Sequence, residues 1–184
     1  MRIDDTTVQG VKVITPEFFT DERGFFARTW AQDLFAEHGL VGHVVQRNLS
    51  YNREVHTLRG MHYQHPPHAE VKVVSCVVGA IYDVAIDVRP ESPTFRQWFG
   101  TELRAESGTM LYIPEGCAHG FLSLTADSRV EYLVSEFYHP ESAAGVRWDD
   151  PAFGVRWPAQ PQVIAERDRT YPDFKVPVSD RAPG

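Results

Sequence analysis

Leu58-Arg59-Gly60-Met61-His62-Tyr63-Gln64 is followed by Val71-Lys72-Val73-Val74-Ser75-Cys76 and by Ile81-Tyr82-Asp83-Val84-Ala85-Ile86-Asp87, and these three runs decide how the chain folds. Apolar residues recur in them at every second or adjacent position, the pattern of strands with at least one buried face. Gly79 stands where the chain must reverse between the second and third runs, so these two read as a hairpin with His62 just upstream. One histidine, one lysine and one arginine then converge on a sheet face. A C–H beside a ketone is removed only where a base of near-neutral pKa reaches it and a cation or donor steadies the enolate oxygen. His62 is the natural base of this set, and Lys72 or Arg59 its charge partner. The plainer reading of the same residues is a satisfied core histidine and a solvated strand lysine.

Working outward, 184 residues with 42% hydrophobic and 12% aromatic content can bury a full core, and the length favours one domain. The net charge of −7 and the scattered basic residues argue against a nucleic-acid surface. Cys76 and Cys117 form no CxxC pair and are too few for a disulfide framework, which suits a reducing cytosol. Met1-Arg2-Ile3-Asp4-Asp5 lacks the apolar stretch of a signal peptide, and every apolar run is shorter than a membrane span, so a cytoplasmic protein without membrane contact is expected. Thirteen glycines and thirteen prolines between short β-rich runs favour strands and turns over a helical bundle.

In chain order, Val11-Lys12-Val13-Ile14 reads as an early strand near an edge or a subunit boundary, stopped by Pro16. Asp21 to Gly24 has turn chemistry between Phe18-Phe19 and Phe25-Phe26, which places Arg23 at a loop tip. There it can grip a phosphate with its planar fork or close a surface ion pair. Trp30, Leu34, Phe35 and His38 fit a short amphipathic helix ended by Gly39. Val44 to Tyr51 alternates, with Gln46, Asn48 and Ser50 on one face; turned inward this polar row lines a wet cavity, turned outward it is a solvated sheet. Further strands around Phe95–Leu103, Met110–Ile113, Cys117–Leu122 and Arg129–Tyr138, with glycine turns, indicate an antiparallel sandwich or barrel. The expected organisation is N-terminal strands and a short helix over roughly 1–50, a barrel core over 51–140, and an irregular arm over 141–184 with a helical turn around Ile164 to Asp168.

Gly108-x5-Pro114-x-Gly116-x2-His119 resembles the second motif of the cupin superfamily, with Ser123 where Asn is usual. That resemblance implies an all-β, cupin-type antiparallel barrel or jelly roll with a few short helices. Many cupins hold a metal, but their H-x-H pair is replaced here by His62 and His65, while His68 and Glu70 lie in a proline-containing loop. Two imidazoles pointing inward from one strand need even spacing, so neither a metal nor another cofactor is expected.

Leu58 to Gln64, Asp83 to Arg89, Ser92-Pro93-Thr94-Phe95, Ile113 to Phe121 and Arg147 to Pro151, in this order, resemble the blocks of the nucleotide-sugar 3,5-epimerase family, typified by the dTDP-4-dehydrorhamnose enzymes. The resemblance implies inversion at C3 and/or C5 of a nucleotide-diphosphate 4-keto-6-deoxyhexose in deoxysugar biosynthesis. It assigns His62 as base, Asp168 as its orienting partner, Tyr132 as the acid on the opposite face, and Lys72 as the group that stabilises the enolate. Arg59, His119, Gln46, Asn48, Arg23 and Tyr138 match positions that hold the sugar, the diphosphate or the base. The family's dimers exchange N-terminal strands, which implies a homodimer in which Arg23 and Arg28 reach the partner's pocket.

Two departures matter. Arg28 stands where the family usually has a glutamate facing the pyrimidine; an arginine donates to cytosine N3 and O2, which makes a CDP-linked substrate the first alternative. Leu133 replaces a frequent lysine beside Tyr132, and Ser135-Glu136 a common Thr-Asp; loss of charge beside the acid points to single-centre epimerisation as a second alternative. A 3,4-ketoisomerase on a related nucleotide sugar and a metal-binding or non-catalytic cupin complete the set of readings.

Overall fold

A computed structural model describes residues 1–176. Its strands are β1 (Arg2–Asp5), β2 (Lys12–Thr15), β3 (Phe18–Asp21), β4 (Gly24–Ala27), β5 (Gln46–Asn52), β6 (Thr57–Gln64), β7 (Lys72–Val78), β8 (Ala80–Asp87), β9 (Trp98–Arg104), β10 (Met110–Ile113), β11 (Cys117–Ser123), β12 (Ser128–Val134), β13 (Ala143–Gly145) and β14 (Val163–Ile164). Two short α-helices, α1 (Gln32–Glu37) and α2 (Glu166–Arg169), accompany them. One sheet runs β1-β2-β10-β7-β12-β5 and the facing sheet β13-β6-β11-β8-β9, with β14 added parallel to β6. The antiparallel sandwich expected from the strand spacing, and the all-β jelly roll implied by the cupin resemblance, is the observed fold. No helix among the described residues is long and apolar enough to cross a membrane.

Alternation decides which side chains meet. Val74 and Cys76 of β7, Leu111 and Ile113 of β10, Val130 of β12, Ile81 and Ala85 of β8, and Phe121 of β11 fill the space between the sheets. Their neighbours face outward and are covered a second time. Val71, Val73 and Met110 pack under Phe35 of α1. Met61, Val84, Ile86 and Ala118 pack under Val146 and Phe153 of the C-terminal arm. Strands buried on both faces explain why the central runs read as nearly continuous apolar sequence.

The hairpin expected between the second and third runs does not form. β7 lies between β10 and β12, and β8 lies between β11 and β9 in the other sheet. Val77 and Val78 extend β7, so Gly79 alone separates the two strands. One residue is too few for a two-residue hairpin turn, and the chain instead turns a corner from sheet to sheet. Gly79 takes φ +77°, and a Cβ there would stand 2.2 Å from Thr125 Oγ1. The early strand β2 lies near an edge as expected, one strand in, with β1 paired to it on the outer side.

The β3–β4 hairpin stands apart from both sheets as a two-stranded unit. Phe18, Phe19, Phe25 and Phe26 are all exposed on it.

Candidate active site

β6 carries the base expected from sequence, and an irregularity in that strand aims it. Against β11, His62 pairs with His119 and Arg59 with Phe121, so three steps on β6 match two on its neighbour. Such a bulge lets Arg59 and His62 line the same cavity although an odd spacing would place them on opposite faces. Gly60 makes the bulge possible: its φ is +123°, and a Cβ would lie 2.4 Å from Gly120 Cα on β11.

The cavity, about 580 Å³, opens between the two sheets. His62 and Arg59 enter from β6 and His119 from β11. From the facing sheet come Gln46, Asn48 and Ser50 of β5, Lys72 of β7 and Tyr132 of β12. The polar row of β5 is therefore turned inward. Tyr138, after β12, and Asp168, on α2, complete the wall.

Asp168 Oδ1 stands 2.7 Å from His62 Nε2, and its Oδ2 accepts the backbone N–H of Gly60 at 3.1 Å. Burial pushes the Asp168 carboxyl up, but His62, the Gly60 N–H and the Arg167 charge together hold it below its ordinary value. An ionised Asp168 accepts the Nε2 proton, which leaves Nδ1 as the basic nitrogen of a neutral ring. Tyr132 shares a hydrogen bond of 3.0 Å with Ser50 Oγ. Burial drives its phenol well above the usual value and Asp83 adds to this, against smaller opposing effects of Ser50 and Arg59. Tyr132 thus holds its proton at neutral pH.

Lys72 Nζ lies 2.7 Å from Glu70 Oε1 and donates to the His62 carbonyl at 3.3 Å, so it reaches across from one sheet to the other. His119 Nε2 stands 2.7 Å from Asp83 Oδ1, both buried. Asp83 Oδ2 has no hydrogen-bond partner among the described residues. Burial pushes the Asp83 carboxyl up, opposed by His119 and Lys72. Arg59 is held by Asn52 Oδ1 at 2.8 Å and by the Tyr51 carbonyl at 3.0 Å.

Nine of the eleven residues expected at the site share this cavity; Arg23 and Arg28 do not. Arg23 sits at the tip of the β3–β4 hairpin, paired with Asp21, and Arg28 is exposed beyond β4. Glu70 and Asp83, the partners of Lys72 and His119, were not among the expected site residues, whereas Ser50, the partner of Tyr132, stood in the polar row of β5. Asp83 had a signal: an acid at an inward position of an otherwise apolar strand needs a buried partner. Leu133 faces away from the cavity and packs with the cluster under α1. The Ser135 hydroxyl accepts the Val71 N–H at 2.8 Å, and Glu136 accepts that of Phe137 at 2.7 Å.

Comparison with known proteins matches this fold. The family model described as dTDP-4-dehydrorhamnose 3,5-epimerase covers residues 5–176. A dTDP-4-dehydrorhamnose 3,5-epimerase of Sinorhizobium fredii is 39% identical over 97% of this chain and 93% of its own. The crystal structure of the corresponding Bacillus anthracis enzyme, with TDP and PPi bound, superposes with a TM-score of 0.90 at 36% identity, covering 94% of this chain and 99% of that one. A Legionella pneumophila epimerase in complex with dTDP-4-keto-L-rhamnose gives a TM-score of 0.85 at 37% identity, covering 91% and 89%. With order, length and architecture all shared, the chain belongs to the dTDP-4-dehydrorhamnose 3,5-epimerase family.

Proposed function

We infer that this protein inverts C3 and C5 of a nucleotide-linked 4-keto-6-deoxyhexose by proton transfer. The observation that carries the reading is the opposition of His62, on one sheet and held by Asp168 of α2, to Tyr132, on the other sheet, across a single cavity. Inversion requires that a proton leave one face of a carbon and return to the other; a single base working alone tends to restore the original centre.

In the proposed reaction His62 Nδ1 takes the proton from the carbon beside the C4 ketone, and the C–H electron pair moves into the enolate. Lys72 steadies the developing oxyanion, a preorganised cation in a site largely withdrawn from water. Tyr132 delivers its proton to the opposite face of the carbon, and exchange with solvent restores both groups. Asp168 acts by positioning His62 and fixing its tautomer. Arg59, Gln46, Asn48, His119 and Tyr138 are the proposed sugar and diphosphate contacts, and their mixture of cation, amides and ring donors suits an anionic, hydroxylated ligand.

The working unit in this reading is a homodimer. The β3–β4 hairpin exposes four phenylalanines together with Arg23 and lies outside its own cavity, the arrangement expected of an arm that docks on a second copy. There Arg23 and Arg28 meet the nucleotide. Light scattering at micromolar concentration tests the dimer, and a monomer overturns it.

Activity is tested by incubating the protein in D2O with the 4-keto-6-deoxyglucose nucleotides of dTDP and CDP and following C3 and C5 by NMR. Deuterium at both centres with inversion, faster for dTDP, is the expected result. Label at one centre identifies a mono-epimerase, faster turnover with CDP reassigns the base contact to Arg28, and no label with either nucleotide overturns the reading.

A further inference from the structure

Just outside the residues that line the cavity, two loops bring together His68, His139 and Glu141, whose ligand atoms all lie within 4.8 Å of one another. His68 lies between β6 and β7, whereas His139 and Glu141 lie between β12 and β13. The imidazoles are stacked with centroids 3.5 Å apart and planes 6° from parallel. Both turn Nδ1 toward one carboxylate oxygen: Glu141 Oε1 is 3.1 Å from His139 Nδ1 and 4.0 Å from His68 Nδ1. Around a tetrahedral zinc ion with bonds near 2.0–2.1 Å, neighbouring ligand atoms sit about 3.4 Å apart, and the observed separations bracket that value.

The supporting frame is rigid. Buried Gln64 donates through Nε2 to the carbonyls of His68 and Phe137, at 2.9 and 3.0 Å, and accepts the His139 N–H at 2.7 Å. Ser142 Oγ lies 2.9 Å from His68 Nδ1, and the Ser142 carbonyl accepts the His65 N–H at 2.8 Å. Both loop backbones are thus positioned before any ligand arrives, which lowers the ordering cost of binding.

We propose that His68, His139 and Glu141 form a binding site for one zinc-class divalent cation that staples the two loops at the rim of the cavity, where Tyr138 precedes His139. The set is borderline-soft nitrogen plus carboxylate oxygen, which selects zinc and its first-row neighbours over magnesium or calcium. The ligands are three, leaving a fourth position to water. On binding, the rings open from their parallel stack so that both Nδ1 lone pairs point at the metal, and His68 Nδ1 exchanges its hydrogen bond with Ser142 Oγ for the metal while the ring proton rests on Nε2. The site departs from the sequence expectation of no metal, because its donors come from separate loops and not from one strand.

Tag-free protein stripped with EDTA is titrated with Zn2+ by calorimetry, and Co2+ is used as a visible-absorption reporter. The expected result is one equivalent per chain and a cobalt spectrum of low coordination number. His68→Ala or His139→Ala is expected to weaken binding at least about tenfold, and Glu141→Gln, a change at an exposed side chain, to weaken it less. Circular dichroism and melting in EDTA establish that each variant folds as the parent does. No saturable uptake overturns the proposal, as does stoichiometric uptake that persists unchanged in the His68→Ala/His139→Ala double variant.

Discussion

Asp168 holds His62 and the strand that presents it at the same time: one carboxylate oxygen lies 2.7 Å from His62 Nε2 and the other accepts the Gly60 N–H at 3.1 Å. Base and bulge are therefore positioned by one residue from the C-terminal arm. Asp168→Asn retains the shape but can present an N–H to the ring, favouring the wrong tautomer. The expected loss is about 10²- to 10⁴-fold in kcat with KM little changed, measured by initial rates and by deuterium uptake. A loss confined to KM would assign Asp168 to substrate binding.

Tyr132→Phe is expected to separate exchange from inversion. His62 still removes the proton, so deuterium enters the starting sugar, while inverted product falls about 100-fold or more. Equal loss of exchange and inversion would show that Tyr132 serves the first proton transfer.

Asp168 also sets an acid dependence of stability. Its carboxyl is held below the ordinary 3.8, so the native state binds that proton less readily than the unfolded chain. The resulting stabilisation is complete above the unfolded value and is lost as pH falls through the lower folded value. Denaturant melts of the parent and Asp168→Asn are therefore expected to differ most above pH 4 and to converge on acidification. Tyr132 works in the opposite direction: its phenol is raised above 10.0, so its contribution is present below that pH and fades as pH rises beyond it, and Tyr132→Phe flattens the alkaline decline.

Gly60→Ala is expected to cost more than about 2 kcal/mol, since it adds a strained positive φ to overpacking against a neighbouring backbone. The Cβ would meet Gly120 Cα at 2.4 Å, an atom that belongs to the strand and cannot rotate away. Chemical denaturation measures the loss, and a full-stability variant would mean that the bulge relaxes freely.

Leu133→Lys restores the charge frequent in the family but places it under α1, away from the cavity. The ratio of C3 to C5 exchange is expected to stay at the parent value, within NMR error. A changed ratio would return the adjacent charge to the mechanism.

Local sequence determined a good deal here. The short alternating runs dictated strands, because a side-chain period of two buries one face and wets the other. The ordered blocks Leu58 to Gln64, Asp83 to Arg89, Ser92 to Phe95, Ile113 to Phe121 and Arg147 to Pro151 carried the family. Even the inward row Gln46, Asn48, Ser50 was visible as a row, although its direction was not. Tertiary structure alone decided the rest. Periodicity is blind to which strand pairs with which, so it could not tell that β7 and β8 part at Gly79 into opposite sheets. It is equally blind to the Gly60 bulge, which lets Arg59 and His62 line one cavity despite their odd spacing. The partners Asp83 for His119 and Glu70 for Lys72 depend on burial and on which side chains the fold leaves within reach, which determine where a lone charge must find its counterpart.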